Sequence, residues 1–175
     1  VIRNPAVTVQ PVVTPSGILS IRPEAATDEG FLFTLFESVK GPDFVGLPVP
    51  LKTQLLQMQY SAMRESYRTS LTTGSFNIVM MDDTPIGSLI TDATSDCIFI
   101  VYIALLPAWR RRGIGSTLMR LILIEARTRD LSCEATVAVD NIASLRLWAG
   151  LGFTEMSRDA ANVILRWQCS SSDPV

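Results

Sequence analysis

Apolar residues recur at intervals of three and four in some stretches of this chain and alternate or run together in others. Those changes of period mark its elements. A short strand is predicted at 18–22, released by Gly17. Thr27-Asp28-Glu29 then offers a helix start, and Phe31, Leu32, Leu35, Phe36 and Val39 follow at helical spacing until Gly41-Pro42 stops them. Leu51, Leu55, Met58, Ala62 and Met63 share one face of a second helix over 51–67. From Phe76 the period shortens. Segments 76–81 and 86–91 read as strands joined through Asp82-Asp83-Thr84-Pro85, a hairpin signature. Segment 97–106, rich in Ile and Val, reads as a strand covered on both faces. A helix over 114–129 is apolar around most of its circumference and is expected to be largely buried. A strand at 134–139, a short helix at 142–149 and an antiparallel pair, 153–156 with 163–168, close the pattern. Strands and helices in this order predict one mixed α/β domain.

The ends read differently. Pro5, Pro11 and Pro15 break residues 1–16 into an extended arm, residues 170–175 form a polar tail, and the folded domain is expected over 17–169. The longest apolar run, 97–108, is interrupted by Pro107 and falls short of the roughly 18 residues a bilayer requires. Residues 1–16 match neither a signal peptide nor an anchor. A soluble, cytoplasmic protein with no membrane partner is the expectation.

Composition narrows the chemistry. Among 175 residues, 47% hydrophobic and 18% charged, 17 Asp and Glu face 15 Lys and Arg, a net charge of −2. That balance argues against a nucleic-acid partner held by bulk electrostatics. The absence of any His excludes Ser-His-Asp and Cys-His catalysis, His-ligated zinc and an imidazole base. Cys97, Cys133 and Cys169 are too scattered for a zinc knuckle or a redox pair, so free thiols in a reducing compartment and no metal are expected.

One segment carries the chemistry. Ala104-Leu-Leu-Pro-Ala-Trp-Arg-Arg-Arg-Gly-Ile-Gly-Ser116 takes a buried strand through Pro107 into a glycine-rich turn that opens a helix. Glycines there let successive N–H groups converge, and the helix N-terminus adds unpaired donors and positive dipole, a cradle suited to a diphosphate. Arg110, Arg111 and Arg112 add charge at its lip, although an arginine cluster alone is more often a solvated surface than a site. The dinucleotide pattern G-x-G-x-x-G fails at Leu118, and the P-loop Lys is missing.

With those residues in view, the chain resembles the GNAT superfamily of acyl-CoA-dependent N-acetyltransferases. Arg110-Arg111-Arg112-Gly113-Ile114-Gly115 matches the family's Q/R-x-x-G-x-G/A signature, and the strand ahead of it ends in the family's manner at Pro107. Downstream, Asn141-Ile-Ala-Ser-Leu-Arg-Leu-Trp-Ala-Gly-Leu-Gly-Phe153 resembles N-x-x-S/A-x-x-L-Y-x-x-x-G-F. The resemblance implies a GNAT fold, a mixed central sheet of about six to seven strands flanked by about four helices. It implies acetyl-CoA as cosubstrate and transfer to a primary amine of a small molecule or peptide, with a homodimer as a common state. Backbone amides of Arg111, Arg112, Gly113, Ile114, Gly115 and Ser116 would hold the pyrophosphate, with Arg110 beside them. Main-chain groups near Leu105 would pair with the pantetheine arm, and Asn141, with Ser144 nearby, would hydrogen-bond it. Asn141 reads equally as the N-cap of the helix that follows.

The acid and base are less evident. Where many relatives carry a tyrosine that protonates the thiolate, this chain has Trp148, whose indole donates a hydrogen bond but no proton. Trp148 is expected to pack along the acyl path. Tyr102 and Glu134 are the ionisable candidates on the central strands, each also readable as a wall or strand-edge residue. Tyr60, Arg64, Glu65, Tyr67 and Arg68 read as an acceptor wall or as a solvated helix face, and Phe31, Phe33 and Phe36 as core. Without a base, a non-catalytic acyl-CoA-binding module stands as the alternative reading.

Overall fold

A computed structural model describes residues 7, 9–71 and 73–169. The tail at 170–175 and residues 1–6 and 8 of the expected arm lie outside the described residues. Strands β1 (Val12–Thr14), β2 (Gly17–Pro23), β3 (Ser75–Met81), β4 (Thr84–Ala93), β5 (Cys97–Leu105), β6 (Ser132–Ala138), β7 (Thr154–Arg158) and β8 (Asn162–Trp167) form one sheet in the order β1-β2-β3-β4-β5-β6-β8-β7. Four helices flank it: α1 (Glu29–Lys40), α2 (Val49–Ser70), α3 (Ile114–Thr128) and α4 (Ile142–Gly150). This is the mixed sheet flanked by four helices that the resemblance implies, with one strand more than expected.

The extra strand comes from the proline-rich segment. Val12–Thr14 pairs antiparallel with Gly17–Leu19 at the sheet edge, and Val7 and Val9 are buried in the main core. Pro11 and Pro15 flank this strand, and none of its three residues is a proline, so the ladder loses no donor. The segment read as a loose arm is therefore part of the sheet from Val12 onward.

The two faces of the sheet carry separate cores. On one, Leu118, Met119, Ile122 and Ala126 of α3 pack with Ile98, Ile100, Cys133, Ala135, Val163 and Leu165. On the other, Leu32 and Phe36 of α1 meet Leu56 and Tyr60 of α2 over Ile78. Phe33 and Phe36 both pack on the Tyr60 ring at 5.5 Å, a core role. Helix α3 is less enclosed than its composition predicts: Ile124 is 60% exposed, because helix α3 buries only the face that meets the sheet.

Two details of β5 position the site. Its ladder with β4 runs from Gly87 opposite Leu105 to Ala93 opposite Ile98, and skips Val101 between Tyr102 and Ile100. That bulge reverses the alternation. Ile98 and Ile100 face the α3 core, whereas Tyr102 turns to the α1–α2 side with Ser88 and Ile90. On its other edge β5 pairs with β6 in parallel, and only from Cys97 opposite Ser132 to Ile100 opposite Ala135. Beyond that point the strands part.

Candidate active site

The gap left by the parting of β5 and β6 is a cavity of about 770 Å³. Its walls are Val101–Leu105 of β5, Thr136–Ala138 of β6, the turn into α3, and Asn141, Ser144, Leu147 and Trp148 at α4. Residues from both sheet faces line it, Val39 and Tyr102 on the α1–α2 side and Ile114 and Trp148 on the other, so the cavity passes through the sheet.

The mouth is made by backbone. After Leu105 the chain takes a tight turn, Pro107–Trp109, and then two left-handed residues, Arg111 at φ 59° and Gly113 at φ 76°. Gly113 caps α3, and its carbonyl accepts the first turn's bond from Thr117 N at 2.9 Å. The amides of Ile114, Gly115 and Ser116 precede the first i→i−4 bond of the helix, so they are left for a partner outside it. A Cβ built on Gly113 meets nothing within 4 Å, and one on Gly115 meets only Leu147 at 3.9 Å: the concavity in front of the helix is open. Such a cradle suits a pyrophosphate.

The arginines divide their work. Arg110 Nε donates to the Leu105 carbonyl at 2.7 Å, and Arg110 Nη2 reaches Ser38 Oγ of α1 at 3.4 Å. Of the main-chain groups near Leu105 expected to pair with a pantetheine arm, the Leu105 carbonyl thus already accepts one bond. Arg110 and Arg111 line the cavity. Arg112 does not; its guanidinium lies over the Trp109 ring at 5.1 Å, a cation–π contact that turns it away.

At α4 the helix-cap reading of Asn141 holds. Its side chain accepts from Ser144 N at 3.1 Å, a true N-cap, and it also lines the cavity. Trp148 Nε1 donates to Ser144 Oγ at 3.0 Å, and the ring, 2% exposed, meets Phe153 edge-on at 4.7 Å. The indole is a packed wall of the cavity with its N–H already spent.

Of the two ionisable candidates, one lines the cavity and one does not. Tyr102 stands in the wall with the Tyr67 ring 6.5 Å away. Burial, helped by Tyr67, pushes its phenol up to about 12, so it keeps its proton at neutral pH and can donate but not accept one. Glu134 stands opposite Phe99, before the strands part, and is held by Arg166 at 2.6 Å. It is outside the cavity lining. Strand period alone could not show this, because it is the end of pairing that decides which β6 residues see the gap.

The polar end of α2 turns inward as well. Arg64 is buried and pairs with Glu24, which also accepts from Arg68 at 2.8 Å; the Phe76 ring lies beneath both guanidiniums. Tyr67 meets the Tyr102 ring, and Tyr60 and Arg64 line a small cavity on the α1–α2 side together with Tyr102. Ser38, Val39 and Thr136 were not singled out, and no local signal marks them: α1 is brought to the mouth only by tertiary packing. Among the described residues, no group of three or more His, Cys, Asp and Glu side chains could hold a metal, and no helix is long and apolar enough to cross a membrane.

A family model described as acetyltransferase (GNAT) family matches residues 47–153. No curated protein matches the sequence significantly. Among solved structures, the PaiA N-acetyltransferase of Thermoplasma acidophilum, in complex with coenzyme A, is similar at a TM-score of 0.65 and 19% identity over 86% of this chain and 99% of that one. RimJ of Mycobacterium smegmatis, in complex with CoA-disulfide, follows at 0.63 and 17%, over 91% and 86%. A GNAT family acetyltransferase of Elizabethkingia anophelis with acetyl-CoA bound gives 0.58 and 16%, over 86% and 98%. At these identities the likeness is one of fold.

Proposed function

The chain belongs to the GNAT acetyltransferase family, and on that premise we propose that it moves an acetyl group from acetyl-CoA to a primary amine by direct transfer in a ternary complex. One observation carries the reading: an open helix N-terminus, approached through left-handed Arg111 and Gly113, stands at the mouth of a cavity that crosses the sheet. The residues fit the cosubstrate. Amides of Gly113, Ile114, Gly115 and Ser116 would hold the diphosphate, Arg110 and Arg111 would balance its charge, and the parted edges of β5 and β6 leave backbone groups for an extended arm. Acetyl-CoA would supply the activated acyl group as a thioester.

The protein's own part is modest. The walls exclude water and align the two reactants, which by itself lowers the barrier substantially. Tyr102 presents a hydrogen-bond donor at the wall, where burial keeps its proton in place. Asn141 and Leu105, each already bonded within the protein, give the mouth a fixed shape. Free Cys97, Cys133 and Cys169 support a cytoplasmic setting.

Isothermal titration tests the first half of the reading: acetyl-CoA and CoA should bind at sub-millimolar concentration, and no heat at that concentration overturns it. A thiol-release assay over a panel of amines tests the second half. The spent N–H of Trp148 favours one competing reading, a non-catalytic acyl-CoA-binding module. Turnover well above hydrolysis with any amine refutes that competitor.

A further inference from the structure

The mouth of the cavity carries more positive charge than a diphosphate uses. Between Asp96 and Glu125 the sequence holds Arg110, Arg111, Arg112 and Arg120 and not one carboxylate. Among the described residues, no ion pair reaches Arg110, Arg111 or Arg112. All three side chains are exposed. The charge of a diphosphate is matched by the two arginines of the lining, Arg110 and Arg111. Arg112 is left over.

Arg112 is also the one whose place is fixed without using its donors. Arg110 spends two of its N–H groups on the Leu105 carbonyl and Ser38. Arg112 has no hydrogen-bond partner among the described residues; its guanidinium lies over the Trp109 ring at 5.1 Å. That ring packs in turn against the main core, so the platform is anchored. A stacked guanidinium gives its flat face to the ring and keeps its rim of N–H donors for another partner. Holding it in place beforehand also lowers the entropy lost on binding. The result is a positioned cation, one residue before the cradle and outside the cavity lining.

What lies there follows from the shape of the cosubstrate. With the acyl arm in the cavity and the diphosphate on the amides of α3, the nucleoside end stays outside, beside the mouth. In CoA that end carries a 3′-phosphate, a monoester with a charge of about −1.5 to −2 at pH 7. We infer that Arg112, held by the Trp109 ring, receives this 3′-phosphate, and that the protein tells CoA from dephospho-CoA through this side chain. The inference rests on the acetyl-CoA reading above and deepens it.

Binding, with no turnover, tests it. CoA and dephospho-CoA are titrated calorimetrically into the parent protein and into Arg112→Gln at one ionic strength. The parent should bind CoA about tenfold or more tightly than dephospho-CoA, as a charge-assisted contact to a phosphate warrants. In Arg112→Gln the affinity for CoA should fall about tenfold and that for dephospho-CoA less than about twofold, so the preference collapses. Trp109→Leu, which keeps the arginine and removes its platform, should give up about threefold of the preference. Trp109→Phe retains an aromatic face and should retain the preference, which separates lost stacking from a damaged fold. Equal affinity of the parent for the two ligands overturns the inference. So does an Arg112→Gln protein that loses both affinities alike, the mark of a charge acting only at a distance. An unchanged preference in Trp109→Leu overturns it too, because the arginine must be held. Each of these leaves the acetyl-CoA reading standing, whereas failure of the parent to bind CoA takes down both.

Discussion

Strand β5 has two edges with opposite fates. Toward β4 it is closed: the ladder runs to Leu105 and continues with Leu106 N donating to Ile86 O at 2.9 Å. Toward β6 it opens after Ile100, and everything the site needs is built around that opening. On the closed edge the hydrogen bonds are consumed by the fold, and a change of side chain is felt as stability. On the open edge backbone groups and helix amides remain for a ligand, and a change is felt as binding. The lesson is that a cofactor site can be made by ending a ladder, with little demand on side-chain identity.

Two glycines put this contrast to the test. Gly87 lies on the closed edge, where an added Cβ would run into the Ala104 carbonyl oxygen and the Leu105 side chain. Gly87→Ala should have the largest effect, a loss of about 2–4 kcal/mol from a backbone clash in a packed strand. Chemical denaturation reads it, and a folded fraction that still binds CoA normally is the expected companion result. If Gly87→Ala is as stable as the parent, the closed edge is not as tight as described. Gly113 is on the open edge, with free space around its missing Cβ but a φ of 76°. Gly113→Ala should cost about 1–2 kcal/mol in backbone strain. Its signature is different: CoA affinity should fall about tenfold or more as the methyl enters the cradle. An unchanged dissociation constant would remove the cradle from the site.

Smaller effects sharpen the contrast away from the gap. Asp28, at the start of α1, receives both Arg22 Nη groups at 2.7 Å and Ala25 N at 2.8 Å. Those bonds hold its carboxyl at about 2. Because that value lies below the ordinary one near 3.9, Asp28 stabilises the fold above about pH 4, and the contribution fades as pH falls toward 2. Asp28→Asn should lower stability by about 1 kcal/mol at pH 7 and much less near pH 2, as urea titrations at the two pH values would show. A pH-independent difference would remove the ion pair as its cause. Last comes Glu134→Gln, which gives up a half-exposed pair with Arg166. Its stability cost should stay below about 1 kcal/mol, and kcat should change less than about threefold. A large fall in kcat with an altered pH profile would restore Glu134 as a base.

Local chemistry made much of this legible. The periods of three and four in α1 and α2, the two-residue turn at Asp82-Asp83 and the glycine-rich entry to α3 are short-range features, and the structure follows them closely. So is the capping role of Asn141, since a cap needs only residues three apart. What escaped is long-range. The bulge at Val101 involves no glycine or proline, and it alone turns Tyr102 toward the α1–α2 side. The edge strand Val12–Thr14 is three residues long between Pro11 and Pro15, too short for its alternation to stand out beside them. The pairing of Glu134 with Arg166 joins residues 32 positions apart.

Trp148 has one more consequence. It is buried, it forms part of the cavity wall, and its indole N–H is fixed on Ser144. Indole emission responds to the polarity and polarisability of whatever touches the ring. The protein therefore carries an internal optical reporter in the wall of its candidate site. Trp109, stacked by Arg112 beside the entrance, is a second reporter nearer the surface. Trp167 is the third indole and lies outside the cavity lining, so a Trp109→Phe, Trp167→Phe variant would leave Trp148 as the one emitter and let cofactor arrival be followed in real time without a label.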